Sequence, residues 1–169
     1  MDGSLAQHGN WVTLRFGYAK RTGDFTGDGS LGYGVAYQRM LAKHYAFAAG
    51  VGHDVVGHFG DQLDIMVPFT AELQRHFKWN TDLHPYLGIG GGYYYRKMYR
   101  TGTDYDTRRS GGVQVSMGVT SELDDRHLVG FEARVAFVRG NKDQFNPTFG
   151  PGSDTETIWT AKLIWGLFY

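Results

Sequence analysis

Histidine and carboxylate side chains are the residues of this sequence that could support acid–base or nucleophilic chemistry. The 169 residues include seven histidines and no cysteine, which excludes thiolate nucleophiles, thiolate metal ligands and disulfides. No histidine is followed two positions later by serine, so a His-x-Ser pair for activating a hydroxyl is missing. We therefore expect a protein that is not an enzyme. An enzyme stays the alternative through a less regular set, formed by His53, Asp54, His58 and Ser110.

Two groups of polar residues could in principle hold a metal ion. Asp24 and Asp28-Gly29 lie close together, but their spacing departs from the alternating Asp/Asn pattern of calcium loops. His53 and His58 do not have the spacing of paired metal ligands. We predict neither a metal ion nor a cofactor.

Basic residues concentrate between positions 96 and 109 of a chain whose net charge is zero. The only acids among them are Asp104 and Asp106, which leaves a local excess of three positive charges. Guanidinium groups grip phosphate oxygens in bidentate fashion, so this segment could bind a phosphate-bearing partner. The neutral whole chain argues against nucleic acid as that partner. The cluster consists of Arg96, Lys97, Arg100, Arg108 and Arg109.

Six further charges recur inside apolar or glycine-rich segments. They are Arg15, Glu72, Glu122, Glu132, Arg134 and Lys162. Charges withdrawn from water are tolerated when they are paired, so we predict a structural ion-pair network in the interior of the fold. Glu132 and Lys162 fall at similar depth on neighbouring strands and are expected in direct contact.

Period-two alternation positions all of these residues, and it recurs eight times along the chain. One face of each segment is bulky, apolar and aromatic, whereas the other mixes Gly and Ala with the charges. The bulky face is too large for the interior of a small barrel but suits lipid, with the polar face packed inside. The sequence predicts an all-β, eight-stranded antiparallel up-and-down transmembrane β-barrel. The alternating segments are 12–19, 31–41, 45–52, 63–74, 87–96, 113–122, 129–137 and 159–169.

The connections between these segments alternate in length. Short ones are predicted at 42–43, 78–82 and 124–126, and long polar ones at 21–30, 53–62, 101–110 and 140–155. Short periplasmic turns and long outer loops are typical of outer-membrane barrels. We predict a flexible segment at 1–9 and a barrel at 10–169, read in the mature form without a signal peptide. No run of 18 apolar residues predicts a transmembrane helix.

Aromatic residues near the strand ends predict two interfacial girdles. The girdle at the end of the short turns would contain Trp11, Trp79, Tyr86, Trp165 and Tyr169. The girdle at the end of the long loops would contain Tyr18, Tyr93, Tyr95 and Trp159.

The C-terminal residues resemble the signal by which the assembly machinery recognises bacterial outer-membrane barrels. That signal has a terminal aromatic residue preceded by apolar residues at every second position, matched here by Leu163, Trp165, Leu167 and Tyr169. The chain as a whole is similar in architecture to the small OmpA/OmpX-type barrels. The resemblance implies an outer-membrane location and that machinery as a partner during biogenesis. We also expect a monomer.

The leading functional prediction is a non-enzymatic barrel with a structural or binding role, whose outer loops contact lipopolysaccharide or another partner. The basic cluster at 96–109 would bind the lipopolysaccharide phosphates. A lipid A-modifying enzyme and a narrow channel or small-hydrophobe transporter are the alternatives. Gly9-Asn10-Trp11 resembles the Gly-x-Trp opening of lipocalins, but a lipocalin fold would expose the apolar face to water.

Overall fold

A computed structural model describes residues 9–22, 28–60, 62–77, 83–100, 103–139 and 155–169, and all its regular structure is extended. The strands are β1 (Asn10–Thr22), β2 (Ser30–Ala42), β3 (Tyr45–Phe59), β4 (Gln62–His76), β5 (Leu83–Arg100), β6 (Thr103–Glu122), β7 (His127–Arg139) and β8 (Thr155–Phe168). Among these described residues, no helix is long and apolar enough to cross a membrane.

Each strand pairs with its neighbours in the chain, and β8 closes the sheet on β1. Every pairing is antiparallel, as at Arg15, which lies opposite Gly34 on β2 and Ile164 on β8. The prediction of a closed, eight-stranded antiparallel barrel is confirmed. Closure leaves no strand edge with unpaired backbone groups, a requirement for any sheet that spans lipid.

Alternate residues of each strand point to opposite faces, and the two faces differ in chemistry. Outward side chains are apolar and exposed, with Leu163 and Ile89 each at 65%. Inward positions hold small or polar residues, such as Ala46 and Thr13 at 0%, together with large apolar residues toward the two ends. So much exposed apolar surface exceeds what water-soluble proteins carry and matches the lipid-facing wall of a membrane barrel.

The interior is layered along the barrel axis. An apolar cluster around Trp11, Tyr86 and Leu128 fills the short-turn end, by which we mean the end that holds the β2–β3 and β6–β7 turns. A second apolar cluster, around Val56, Met66 and Ile158, fills the opposite end, here called the outer end. The charged residues of the interior lie in a layer between these two clusters and in a layer at the outer end.

The predicted girdle at the short-turn end is wrong for Trp11 and Tyr86, which point inward and are 1% and 2% exposed. Trp11 shares its side of β1 with Thr13 and Arg15, so the same alternation that predicted the strand also turns it inward. Its ring lies 6.0 Å from that of Phe168 on the last strand. Trp165 and Tyr169 do point outward, whereas Trp79 lies outside the described residues.

Two of the predicted long loops are largely strand. β3 continues to Phe59 before a turn at Gly60, whose φ of 58° is in the left-handed region that favours glycine. β5 and β6 extend to 18 and 20 residues, so most of 101–110 is paired hairpin rather than loop. Backbone pairing continues to Arg100 and Thr103, beyond the point at which the apolar alternation of the sequence stops. Residues 140–154 lie outside the described chain.

The turn between β6 and β7 is held by Asp124. Its carboxylate accepts hydrogen bonds from the backbone N–H of Arg126 and of His127, each at 2.8 Å. The Arg126 bond first, and then the His127 side chain, lower the pKa of this carboxyl group. The predicted short connections at 42–43 and 124–126 are confirmed, and 78–82 lies outside the described residues.

Candidate functional site

Glu132 on β7 is the centre of the charged interior. Its side chain is 1% exposed. Its Oε1 atom lies 3.2 Å from Nη1 of Arg15 on β1 and 3.0 Å from Nη2 of Arg134 on the same strand. The hydroxyl of Tyr86 donates to its second oxygen at 2.7 Å. A carboxylate this deeply buried depends on such partners, because an unpaired charge in the interior costs several kcal/mol.

Glu72 on β4 is the second centre, and mostly neutral groups surround it. The amides of Gln74 and Gln114 donate to it at 2.7 and 2.9 Å, and the hydroxyl of Ser116 donates at 2.7 Å. Arg134 lies 3.4 Å away and so bridges Glu72 and Glu132. The glutamines were not predicted as members of the network, although their inward positions on alternating strands could have identified them.

The predicted contact between Glu132 and Lys162 is wrong. The register sets the two residues opposite each other, but the Lys162 ammonium binds Asp54 on β3. Two guanidinium groups already occupy Glu132, and Gly32 leaves the space in which the Lys162–Asp54 pair meets. A Cβ at Gly32 would lie 2.1 Å from the Asp54 carboxylate. Asp54 is therefore a further charged residue of the interior, paired with Lys162, and the sequence did not predict it there.

Glu122 lies apart from this network. It faces the His84 ring nitrogen at 3.4 Å at the short-turn end and is partly exposed. Of the six predicted network residues, the structure brings Arg15, Glu72, Glu132 and Arg134 into one connected group. It places Lys162 in a separate pair and Glu122 at the mouth.

A second group of charged residues, here called the upper ion cluster, lies inside the barrel at its outer end. Its position corrects the prediction that the basic residues of segment 96–109 form one phosphate-binding surface. Arg96 is 6% exposed and binds Asp64, with 2.6 Å between Nε and Oδ1, and also Glu156. Arg108 approaches Glu156 at 3.9 Å, as does Arg21 at 3.5 Å. The cluster consists of Arg21, Asp64, Arg96, Arg108 and Glu156. Arg96 and Arg108 face the interior because they occupy inward positions of β5 and β6, so they do not form one surface with Lys97 and Arg109.

The outer cation belt is formed by the cations that point outward at the outer end. They are Lys20 on β1, Lys97 on β5, Arg109 on β6 and Arg139 on β7. The Lys97 ammonium lies 4.8 Å from the centre of the Tyr99 ring, and Lys20 is opposite Trp159. Lys20 and Arg139 were not predicted, because they lie far from the basic segment in sequence and come to the same end of the barrel only in the fold. The Arg100 side chain lies outside the described part of the structure.

The residues of the enzyme alternative do not converge. Asp54 points inward to Lys162, whereas His53, next to it in the same strand, stacks on Tyr33 with the ring centres 5.1 Å apart. His58 is exposed near the outer turn, where its strand bridges Asp28. Adjacent residues of a strand point to opposite faces, so His53 and Asp54 cannot share one site without a change in the strand.

The four residues of the predicted assembly signal form the outward side of β8. Leu163, Trp165, Leu167 and Tyr169 are 65%, 41%, 39% and 69% exposed. The Tyr169 backbone N–H donates to Asn10 at 3.2 Å, so the C-terminus is joined to the first strand. Recognition of this side by an assembly machinery stays a prediction.

The sequence matches no protein-family model, and no curated protein is significantly similar to it. Solved structures are similar in fold. Neisserial surface protein A has a TM-score of 0.75 at 12% identity, over 95% of this chain and 97% of that one. Ail, the attachment invasion locus protein of Yersinia pestis, in complex with the heparin analogue sucrose octasulfate, has a TM-score of 0.64 at 11% identity, over 95% of this chain and 99% of that one. OprG, an outer membrane protein of Pseudomonas aeruginosa, has a TM-score of 0.58 at 15% identity, over 95% of this chain and 96% of that one. The chain thus has the fold of the small eight-stranded outer-membrane β-barrels.

Proposed function

We propose that the protein is a non-enzymatic barrel of a bacterial outer membrane whose outer cation belt binds lipopolysaccharide phosphates. The observation that supports this proposal is the position of the belt. Arg109 lies opposite Tyr95, Lys20 lies opposite Trp159, and Arg139 is one outward position beyond Phe137. Aromatic rings of this kind sit at the boundary of the hydrocarbon, so the cations next to them reach the level of the lipid phosphates.

The belt covers only part of the circumference, which gives the proposed contact a direction. At the same end, the described outward residues of β2, β3 and β4 are mainly apolar, for example Leu31, Val55 and Ile65. Phosphates would therefore bind along β5–β6–β7 and β1, whereas the β2–β4 side would face acyl chains. A solved barrel of similar fold, Ail, binds a sulfated heparin analogue, which supports the general idea that this fold can present cations to a polyanion.

The interior favours this binding role over that of a channel. Arg15, Arg134 and Lys162 lie across the layer between the apolar clusters, each with a carboxylate partner. Small barrels of this strand number have interiors that side chains fill. The proposal therefore assigns the ion pairs to stability and the outer face to binding.

The test compares lipid A binding by two triple variants with equal loss of charge. Lys20→Gln, Arg109→Gln and Arg139→Gln weaken the belt, whereas Arg39→Gln, Lys43→Gln and Arg126→Gln remove exposed cations near the short-turn end. Binding of fluorescent lipid A to detergent-solubilised protein should fall roughly tenfold for the belt variant, because exposed ion pairs contribute about 0.2–1 kcal/mol each. The control variant should bind like the parent.

Salt and dephosphorylated lipid A complete the test. Screening should weaken the parent's binding and narrow the gap between parent and belt variant. Dephosphorylated lipid A should bind both equally. Equal affinity of the parent and the belt variant at low salt would refute the proposal, as would an equal loss in both triple variants.

A further inference from the structure

An exposed arginine contacts two aromatic rings on the lipid-facing wall at the short-turn end. The guanidinium carbon of Arg75 is 5.2 Å from the centre of the Phe77 ring and 6.0 Å from the centre of the Tyr45 ring on β3. Arg75 is one outward position beyond Leu73, which belongs to the exposed apolar wall. Two residues of a tilted strand correspond to about 5 Å along the membrane normal, so Arg75 lies at the boundary of the hydrocarbon. Contact with both rings limits the positions that its guanidinium group adopts there.

Two more exposed cations lie beside Arg75 on the same part of the wall. Arg39 on β2 is opposite Phe47 of β3, and Arg75 on β4 is opposite Tyr45 of β3, so the two arginines flank one strand. Neighbouring strands are about 4.8 Å apart, which brings both guanidinium groups within reach of a single lipid head group. Lys43 is in the turn that joins β2 to β3. The inner basic patch, as we call this group, consists of Arg39, Lys43, Tyr45, Arg75 and Phe77.

The three cations of the inner basic patch have no carboxylate partner within the described part of the chain. The described carboxylates of the short-turn end are Glu122, Asp124 and Asp125, which lie across the barrel at the β6–β7 turn. In the connection after β4, the formal charges of Lys78 and Asp82 cancel each other. The patch is therefore complementary to an anion, whereas the opposite side of the same end is not.

We propose that the inner basic patch binds the phosphate of an anionic glycerophospholipid in the periplasmic leaflet. Short turns of outer-membrane barrels are periplasmic, and lipopolysaccharide belongs to the other leaflet. Arg39 and Arg75 bind the phosphodiester from two sides, and Lys43 contacts it from the turn. The acyl chains lie against Phe47 and Leu73, which point outward toward the middle of the wall. This site is independent of the outer cation belt, which lies on other strands and faces the other leaflet.

The test follows the arginine side chains by NMR in the whole protein. The chain, labelled with ¹⁵N-arginine, is placed in phosphatidylcholine nanodiscs in which phosphatidylglycerol replaces an increasing share of the lipid. Both lipids contain one phosphate, but only phosphatidylglycerol has a net negative charge. The Nε–H signal of Arg75 should shift in a saturable manner, whereas that of Arg126 in the β6–β7 turn should change gradually with the surface charge. Inorganic phosphate, which has no acyl chains, should leave the Arg75 signal unchanged.

Two double variants with equal loss of charge test whether the neighbouring cations belong to the site. Arg39→Gln with Lys43→Gln should weaken phosphatidylglycerol binding at Arg75 at least tenfold, because each cation near a lipid surface strengthens binding about fivefold. Lys20→Gln with Arg139→Gln removes two cations of the outer cation belt and should leave the Arg75 response unchanged. Saturable binding that only the first variant weakens supports the proposal.

Three results would overturn it. The first is an Arg75 signal that does not respond to phosphatidylglycerol in the parent. The second is an equal response to inorganic phosphate, which would mean a site for any small anion. The third is an equal loss in both double variants, which would mean that total charge and not the patch attracts the lipid. Both the parent and these variants retain Arg75, so the readout itself is not altered.

Discussion

The wall formed by β2, β3 and β4 differs from the wall formed by β5, β6 and β7. The first has an interrupted backbone ladder at Pro68 and an apolar outer end. The second has an unbroken register between β6 and β7, bulky inward residues such as Tyr94 and Glu132, and cations at its outer end. The ladder between β3 and β4 therefore lacks a hydrogen bond at mid-wall, whereas the ladder between β6 and β7 is continuous. A closed barrel can thus have one firm and one yielding wall.

The largest effect is expected at the centre of the firm wall. Glu132→Leu leaves the Arg15 and Arg134 guanidinium groups without their shared carboxylate, which should lower the free energy of unfolding by about 3–5 kcal/mol. Glu122→Leu is the matched control and should change it by less than about 1 kcal/mol, because Glu122 is partly exposed near the barrel mouth. Urea titration of the protein in lipid vesicles measures both. Similar losses would show that the network is not the source of the firmness.

A charge on the lipid-facing surface should have the next largest effect. Leu163→Arg or Val115→Arg places a cation in the hydrocarbon and should cost roughly 2–4 kcal/mol. Leu123→Arg introduces the same charge in the exposed β6–β7 turn and should cost little. The same urea titrations apply. If all three variants are equally stable, these positions are not in lipid.

Amide hydrogen exchange can sharpen the contrast between the walls. Pro68 has no N–H to donate to the Gly52 carbonyl, so the Gly52 N–H belongs to a pair with one ladder hydrogen bond instead of two. A hydrogen bond is worth about 1 kcal/mol, so the Gly52 amide should open more readily and exchange roughly fivefold faster than the Gly92 amide on β5. NMR in nanodiscs resolves the two residues. Slower exchange at Gly52 than at Gly92 would mean that the interrupted ladder does not loosen the wall.

The smallest effect is expected in the β6–β7 turn and depends on pH. The folded state lowers the pKa of Asp124, so its contribution to stability is present above the unfolded pKa and is lost as pH falls through the lowered folded value. Asp124→Asn should therefore flatten the acid limb of the stability–pH curve and leave the rest of its shape unchanged. Unfolding titrations from pH 7 down to roughly pH 3 measure this, around the ordinary aspartate value. An unchanged acid limb would contradict the assignment.

Local alternation in the sequence was sufficient to predict the fold, because strand parity alone decides which residues can face lipid. It also contained the inward positions of Trp11 and Arg96, which were assigned instead from their nearness to strand ends and to other cations. The alternating direction of side chains along a strand is stronger evidence for their position than nearness to a strand end or to other cations.

The pairing partners inside the barrel were not predictable in the same way. Lys162 reaches Asp54 rather than Glu132 because Gly32 leaves a space between strands that are far apart in sequence. The outer cation belt likewise combines Lys20 with residues more than 70 positions away. Such groupings depend on closure and shear of the barrel, which a period-two pattern does not specify.

The contact between Trp11 and Phe168 has a consequence for how the molecule can be observed while it forms. These two rings come from the first and last strands, which meet only when the sheet closes on itself. The indole of Trp11 then passes from a wet or interfacial environment to full burial, whereas Trp159 and Trp165 remain on the outer surface. A chain that retains Trp11 and has Phe at its other tryptophan positions would emit a signal specific to the final seam, and its kinetics would separate strand insertion from ring closure.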